Sequence, residues 1–199
     1  MSFPRARTAV AAALLVAGAT ALAGPAQAAG GHRALSHFDN GSFETPKAPA
    51  NAFTNLGSGQ AIGPWTVTAG NVDLIGAGFW QAAEGDQSLD LNGGTAGAVA
   101  QSFTTVPGTT YSVTYALAGN PASGPALKTG RVLIDGQNFQ DFSFDVTGRS
   151  MAAMGYVGRQ FSFVAQSGST TLSFASTVPG AYGPVIDNVQ VKECKPCCG

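Results

Sequence analysis

The chain has 199 residues, of which 11% are charged: ten Lys and Arg against eleven Asp and Glu, for a formal net charge of −1. A charge set this sparse and balanced, with no basic stripe, excludes a nucleic-acid binder and a protein held electrostatically on anionic membranes. Twenty-seven glycines, with abundant Ser and Thr, point instead to an extracellular β-protein with many turns.

Arg5 and Arg7 precede an apolar run over residues 8–22, and Ala26-Gln27-Ala28 fits the small-x-small rule for cleavage. Residues 1–28 therefore read as a secretory signal peptide. The apolar run falls short of the roughly 20 residues that a membrane span requires, and no later segment reaches that length. Residues 29–36, with Gly30-Gly31, His32 and Arg33, read as a flexible lead-in. His32 and His37, the only histidines, sit at this edge and read as solvated linker.

Residues 37–192 then form one domain. Asn40-Gly41 is a turn dipeptide, and residues 45–63 form a long loop with a short strand near 53–56. Strands are expected at 64–68 and 71–75. The stretch from Phe79 to Gly93 pairs two aromatics, crosses an acidic turn at residues 84–86 and enters an alternating strand. There Leu89 and Leu91 share one face while Ser88, Asp90 and Asn92 share the other, the pattern of a half-buried strand. Further strands follow at 98–105, after which Pro107-Gly108 predicts a type II turn, and at 111–117. A Pro- and Gly-rich loop occupies 119–130. Residues 131–135 and 139–146 pair around the Asp135-Gly136 turn, residues 147–156 are irregular, and 159–165, 170–176 and 185–192 close the set. About ten short strands at roughly ten-residue spacing predict an all-β antiparallel sandwich.

Two groups of side chains carry the chemistry. Asp187 shares parity with Val185, Val189 and Val191, and a carboxylate pointing into a core needs a partner or a cation. Calcium suits a secreted domain, with Glu44 as second carboxylate because first and last strands commonly neighbour one another. Asp187 capping a turn or accepting backbone amides is the alternative. The second group is aromatic. A sugar site needs an exposed ring beside a polar group that fixes the hydroxyls, and Trp80 with Gln81, and Tyr182 in a Gly-rich loop, would supply both. Trp65, opening a strand after Pro64, reads as core, and Trp80 is expected to contribute more to binding. No G-x-S-x-G or H-E-x-x-H motif is present, and no histidine lies inside the domain to act as a base. Glu84, Asp86 and Asp90 lie close enough in sequence to offer paired carboxylates for glycoside cleavage, but acid-rich turns are usually solvated, so the chain reads as a non-enzyme. Cys194, Cys197 and Cys198 crowd the tail at 193–199 and are disulfide candidates, including for a disulfide-linked partner. That tail supports a second reading, an extracellular structural or adhesive protein cross-linked through its cysteines.

The segments NGSFE (40–44), GPWTV (63–67), VDLI (72–75) and WQAAEGDQSLDLNG (80–93) resemble the bacterial choice-of-anchor C family, itself similar to plant cell-wall proteins built from a domain of unknown function. The resemblance continues through 101–103, 111–121 and 183–189 and spans about 40 to 191. It implies a single galactose-binding-like jelly-roll β-sandwich that associates with polysaccharide or cell-wall glycan and has no established enzymatic activity. It also implies a structural calcium held by Glu44 and Asp187. Members often carry a surface anchor, where this chain has the Cys-rich tail.

Overall fold

In a computed structural model of the chain, residue 1 and residues 37–194 are described. The expected signal peptide and lead-in lie outside them, as do Cys197 and Cys198. Twelve strands run in order: β1 (Phe53–Gly57), β2 (Ala61–Ile62), β3 (Trp65–Ala69), β4 (Asn71–Ile75), β5 (Ser88–Asp90), β6 (Ala98–Thr104), β7 (Thr110–Gly119), β8 (Leu127–Ile134), β9 (Gln137–Asp145), β10 (Val157–Val164), β11 (Ser169–Ser176) and β12 (Pro184–Glu193). They form two six-stranded antiparallel sheets, ordered β1-β4-β5-β12-β7-β10 and β2-β3-β6-β11-β8-β9. From β5 to β8 and again from β9 to β12 each successive strand lies in the other sheet, as the expected jelly-roll β-sandwich requires.

Alternation explains the core. Along β7, Tyr111, Val113, Tyr115 and Leu117 are buried while Ser112, Thr114 and Ala116 are only partly covered, so the first set faces the opposite sheet. The Tyr115 ring meets Phe174 of that sheet edge-on at 5.0 Å. Trp65 is fully buried, packs against Phe38, Phe43 and Phe174, and donates its indole N–H to the Asn40 carbonyl at 3.0 Å. Both expected turns form. Asp135 and Gly136 carry φ of 49° and 79° between Ile134 and Gln137, which pair directly, as a two-residue hairpin with both central residues at positive φ demands. Gly108 sits at φ 80°, and Thr109 donates to the Val106 carbonyl.

Three sequence expectations are corrected here. The strand at β5 is not half-buried: Ser88, Asp90 and Asn92 are buried along with Leu89 and Leu91, because loops lie over the outer face of the first sheet. The loop expected over 119–130 contributes its last residues to β8, where Lys128 is fully buried. Its ammonium donates to the carbonyls of Ser123 at 2.7 Å and Tyr182 at 2.9 Å; a sequence reading assigns such a lysine to solvent. Finally, the shared parity of Asp187 with Val191 is broken. Asp187 pairs with Ala116 but Gln190 pairs with Thr114, a β-bulge of one extra residue. Asp187 therefore stands with Ala116 on the outer face, whereas Val191 stands with Val113 in the core.

Trp65 joins the segment before β1, through Phe38 and Phe43, to the centre of the second sheet. Trp65→Ala is expected to lower unfolding free energy by about 3–5 kcal/mol, measured by denaturant unfolding.

Candidate functional site

The segment from Gly76 to Gln87 leaves β4, crosses the outer face of the first sheet and returns as β5. Its backbone is pinned from both ends of the domain. Asp187 Oδ2, on β12, accepts the amides of Ala83 at 2.8 Å and Glu84 at 3.0 Å, while Oδ1 accepts its neighbour Asn188 N–H at 2.6 Å. Glu44 Oε1, upstream of β1, accepts the amides of Asp86 and Gln87, both at 2.8 Å. Gly85 lies between the two pairs with φ 63°, and the Glu44 carboxylate fills the space a β-carbon would need. Only glycine satisfies both conditions. Gln87, buried, ties the loop onward by accepting Ala48 N–H at 2.7 Å and donating to the Pro46 carbonyl at 3.0 Å.

Glu44 and Asp187 do converge, as the sequence suggests, but on one stretch of peptide. Their oxygens face N–H donors, which repel a cation as they attract a carboxylate, and among the described residues no cluster of three His, Cys, Asp or Glu could hold a metal. The alternative of a carboxylate on backbone amides describes Asp187. The two differ in electrostatics. Burial pushes the Asp187 carboxyl from its ordinary 3.8 up to about 7, against the amides of Glu84, Ala83 and Asn188. For Glu44 burial also pushes upward, but the Lys47 ammonium and the amides of Asp86 and Gln87 outweigh it and hold the carboxyl below its usual range.

Trp80 is 6% exposed, and its indole N–H donates to Ser88 Oγ at 2.8 Å. The expectation of an open Trp80 ring is corrected: the hydroxyl eight residues on, at the start of β5, draws the indole down onto the sheet. Phe79 stands between Trp80 and the outside, edge-on to Trp80 at 5.5 Å and to Phe53 at 5.6 Å. Gly78, Phe79, Trp80, Gln81, Met151 and Ala152 line an open cleft of about 360 Å³. Gln81 is exposed at its rim and doubly fixed. Its N–H donates to the Met151 carbonyl at 2.9 Å, and its Oε1 accepts Met154 N–H at 3.1 Å. That leaves Gln81 Nε2, next in the cleft lining to Phe79 and Trp80, as a donor with no partner among the described residues. Met151 and Ala152 were missed by sequence reasoning, which had no signal bringing the 147–156 loop to this cleft.

The remaining predicted residues lie apart. Tyr182, 38% exposed, sits in the loop whose carbonyl holds Lys128 and does not line the cleft. Asp90 is buried on β5, accepting Asn92 N–H at 2.9 Å and Asn120 Nδ2 at 2.8 Å. Burial, with Asp73 directly across the ladder, raises its carboxyl to about 8. Glu84 and Asp86 are exposed in the loop, so the three acids of the turn do not form a facing pair. Cys194 is an exposed free thiol.

The profile of a family described as proteins of unknown function, DUF642, matches residues 36–192. The chain belongs to the DUF642 family. No curated protein matches it. Among solved structures, this DUF642 chain is similar to a family 35 carbohydrate-binding module from Clostridium thermocellum, at 11% identity over 71% of this chain and 99% of that one, with a TM-score of 0.48. It is also similar to TmCBM61 in complex with β-1,4-galactotriose (15% identity, 79% and 98% covered, TM-score 0.48). A third is the CBM22-1 xylan-binding domain of Xyn10C from Paenibacillus barcinonensis (22% identity, 75% and 99% covered, TM-score 0.46).

Asp187 and Asp90 both titrate higher when folded, so their contribution is full below the ordinary carboxylate range and is lost as pH rises through about 7 and about 8. The domain is therefore expected to melt at higher temperature near pH 5 than near pH 8. Asp187→Asn should flatten that slope while lowering stability throughout, since a carboxamide cannot accept on both sides. Melting curves in chelator and in millimolar calcium should coincide; an upward shift with calcium would restore the metal reading.

Proposed function

We propose that this DUF642 chain is a secreted, non-catalytic carbohydrate-binding module whose ligand is a polysaccharide or cell-wall glycan, bound at the Phe79–Gln81 cleft. The observation that carries this reading is Gln81. Its carbonyl is anchored on a backbone amide, so its Nε2 is presented without further ordering in the cleft that Phe79 lines. A flat apolar ring packs the C–H face of a sugar, and an adjacent fixed amide donates to a hydroxyl. Pre-ordering matters because each side chain immobilised on binding costs about 0.5–1.5 kcal/mol. The clamp on residues 83–87 serves the same end by fixing the loop that carries both groups. Export follows from the leader at 1–28, and the closer affinity to the choice-of-anchor C group from the motifs at 40–44 and 80–93. Glu44 and Asp187 act here as positioning residues, with no metal in the reading.

The test is a pull-down on insoluble polysaccharides and a glycan array, followed by titration with the best soluble fragment. Gln81→Ala is expected to weaken binding by about 1–3 kcal/mol with little change in melting temperature, and Phe79→Ala to weaken it as much while also lowering stability, since its ring packs on Trp80 and Phe53. Trp80→Ala should instead cost about 3–5 kcal/mol of stability. Retention on no polysaccharide, together with multimers that reductant dissolves, would overturn the reading in favour of a cross-linked structural protein.

A further inference from the structure

Loops cover the outer face of the first sheet over β1, β4 and β5 and reach Asp187 on β12. Beyond Asp187, strands β12, β7 and β10 hold an open groove of about 400 Å³ lined by Thr114, Tyr115, Ala116, Gly158, Arg159, Gln160 and Asn188. We propose that this groove is a second glycan site, for an extended neutral polysaccharide bound through its hydroxyls without ring stacking. The inference rests on the reading of the protein as a glycan-binding module, but not on the Phe79–Gln81 cleft.

Three observations carry it. First, the side chains are carboxamides and hydroxyls already locked to one another. Gln160 Nε2 donates to Ser112 Oγ at 3.1 Å, and Gln190 Nε2 donates to Asn188 Oδ1 at 2.8 Å. Gln160 Oε1 and Asn188 Nδ2 are left as an acceptor and a donor with no protein partner among the described residues, one on each strand flanking β7, where each could engage a sugar hydroxyl. Second, Asn188 occupies the β12 bulge at φ 46°. A bulge re-aims a side chain, and a left-handed non-glycine residue marks a position worth holding. Third, the floor is small without structural cause. Gly158 lies inside β10 outside the left-handed region, and a β-carbon there would meet nothing within 4 Å. A strand glycine that neither packing nor backbone requires marks a close approach by something else.

The occupant follows from what is missing. No carboxylate and no exposed apolar side chain lines the groove, and the one cation, Arg159, is committed through Nη2 to the Ser143 carbonyl at 3.1 Å. A protein partner would need apolar anchors, and an acidic polymer would need free cations. The Tyr115 ring belongs to the core, against Phe174, so no stacking platform is available. A neutral polyhydroxylated chain fits.

The experiment titrates the ¹⁵N-labelled chain with cellohexaose, xylohexaose, mannohexaose and hexagalacturonate, following backbone amides at Thr114, Gly158, Gln160 and Asn188 and, separately, at Phe79–Gln81. Two variants accompany it. Asn188→Gly keeps the left-handed backbone and removes the amide, and Gly158→Ile fills the floor with a residue suited to a strand. A neutral hexasaccharide is expected to shift the groove amides, and each variant to weaken that response by about tenfold or more while leaving the cleft response intact. Shifts confined to the cleft would overturn the groove and leave the glycan-module reading standing. Shifts at neither place would overturn both. Groove shifts with hexagalacturonate alone, or self-association abolished by Gly158→Ile, would overturn the neutral-glycan assignment.

Discussion

Four backbone amides between Ala83 and Gln87, divided between two carboxylates, organise this molecule. A loop that crosses a sheet face cannot join the ladder beneath it, so its N–H groups must find acceptors or stay wet. Asp187 supplies one oxygen from β12 and Glu44 supplies one from the segment before β1. Glu44, held ionised, makes charge-assisted bonds, which are roughly twice as strong as neutral ones, and the two clamps join residues about 40 and about 100 positions apart along the chain. The loop thereby links the beginning and end of the domain, the role that a bound ion would otherwise perform.

The clamp also decides what the outer face of the first sheet can do. Trp80 and the clamped loop cover Ser88 and Asp187, and the 180–183 turn covers Asp90 through the Gly183 amide at 3.2 Å. Burial pushes the Asp187 and Asp90 carboxyls beneath them upward. What stays accessible is the rim, where Phe79 and Gln81 stand, and the groove on β12, β7 and β10. Both surfaces pair fixed carboxamides with little charge. They differ in that only the rim offers aromatic rings.

Much of the sandwich was legible because it depends on local rules. Alternation along residues 111–117 and the turn chemistry of Pro107-Gly108 and Asp135-Gly136 act within a few residues, and each was met. The site was legible only in part. The sequence named Glu44, Asp187, Trp80 and Gln81, and all four touch the 76–87 loop, but their roles depended on distant partners. Trp80 turns inward because Ser88 accepts its N–H, and Asp187 faces amides because a one-residue bulge at Asn188 resets parity. Nothing in the local pattern V-I-D-N-V-Q-V distinguishes a bulged strand from a regular one. Lys128 was unreadable for the same reason: the carbonyls that solvate its ammonium come from residues 123 and 182.

Amide hydrogen exchange at Ala83, Glu84, Asp86 and Gln87, measured in chelator, tests the clamp most directly. All four amides should be protected at a level comparable with the neighbouring strands. Asp187→Ala should release residues 83 and 84 while Glu44 continues to hold 86 and 87. Fast exchange at all four in the unmodified chain, or protection that appears only when calcium is added, would contradict the account.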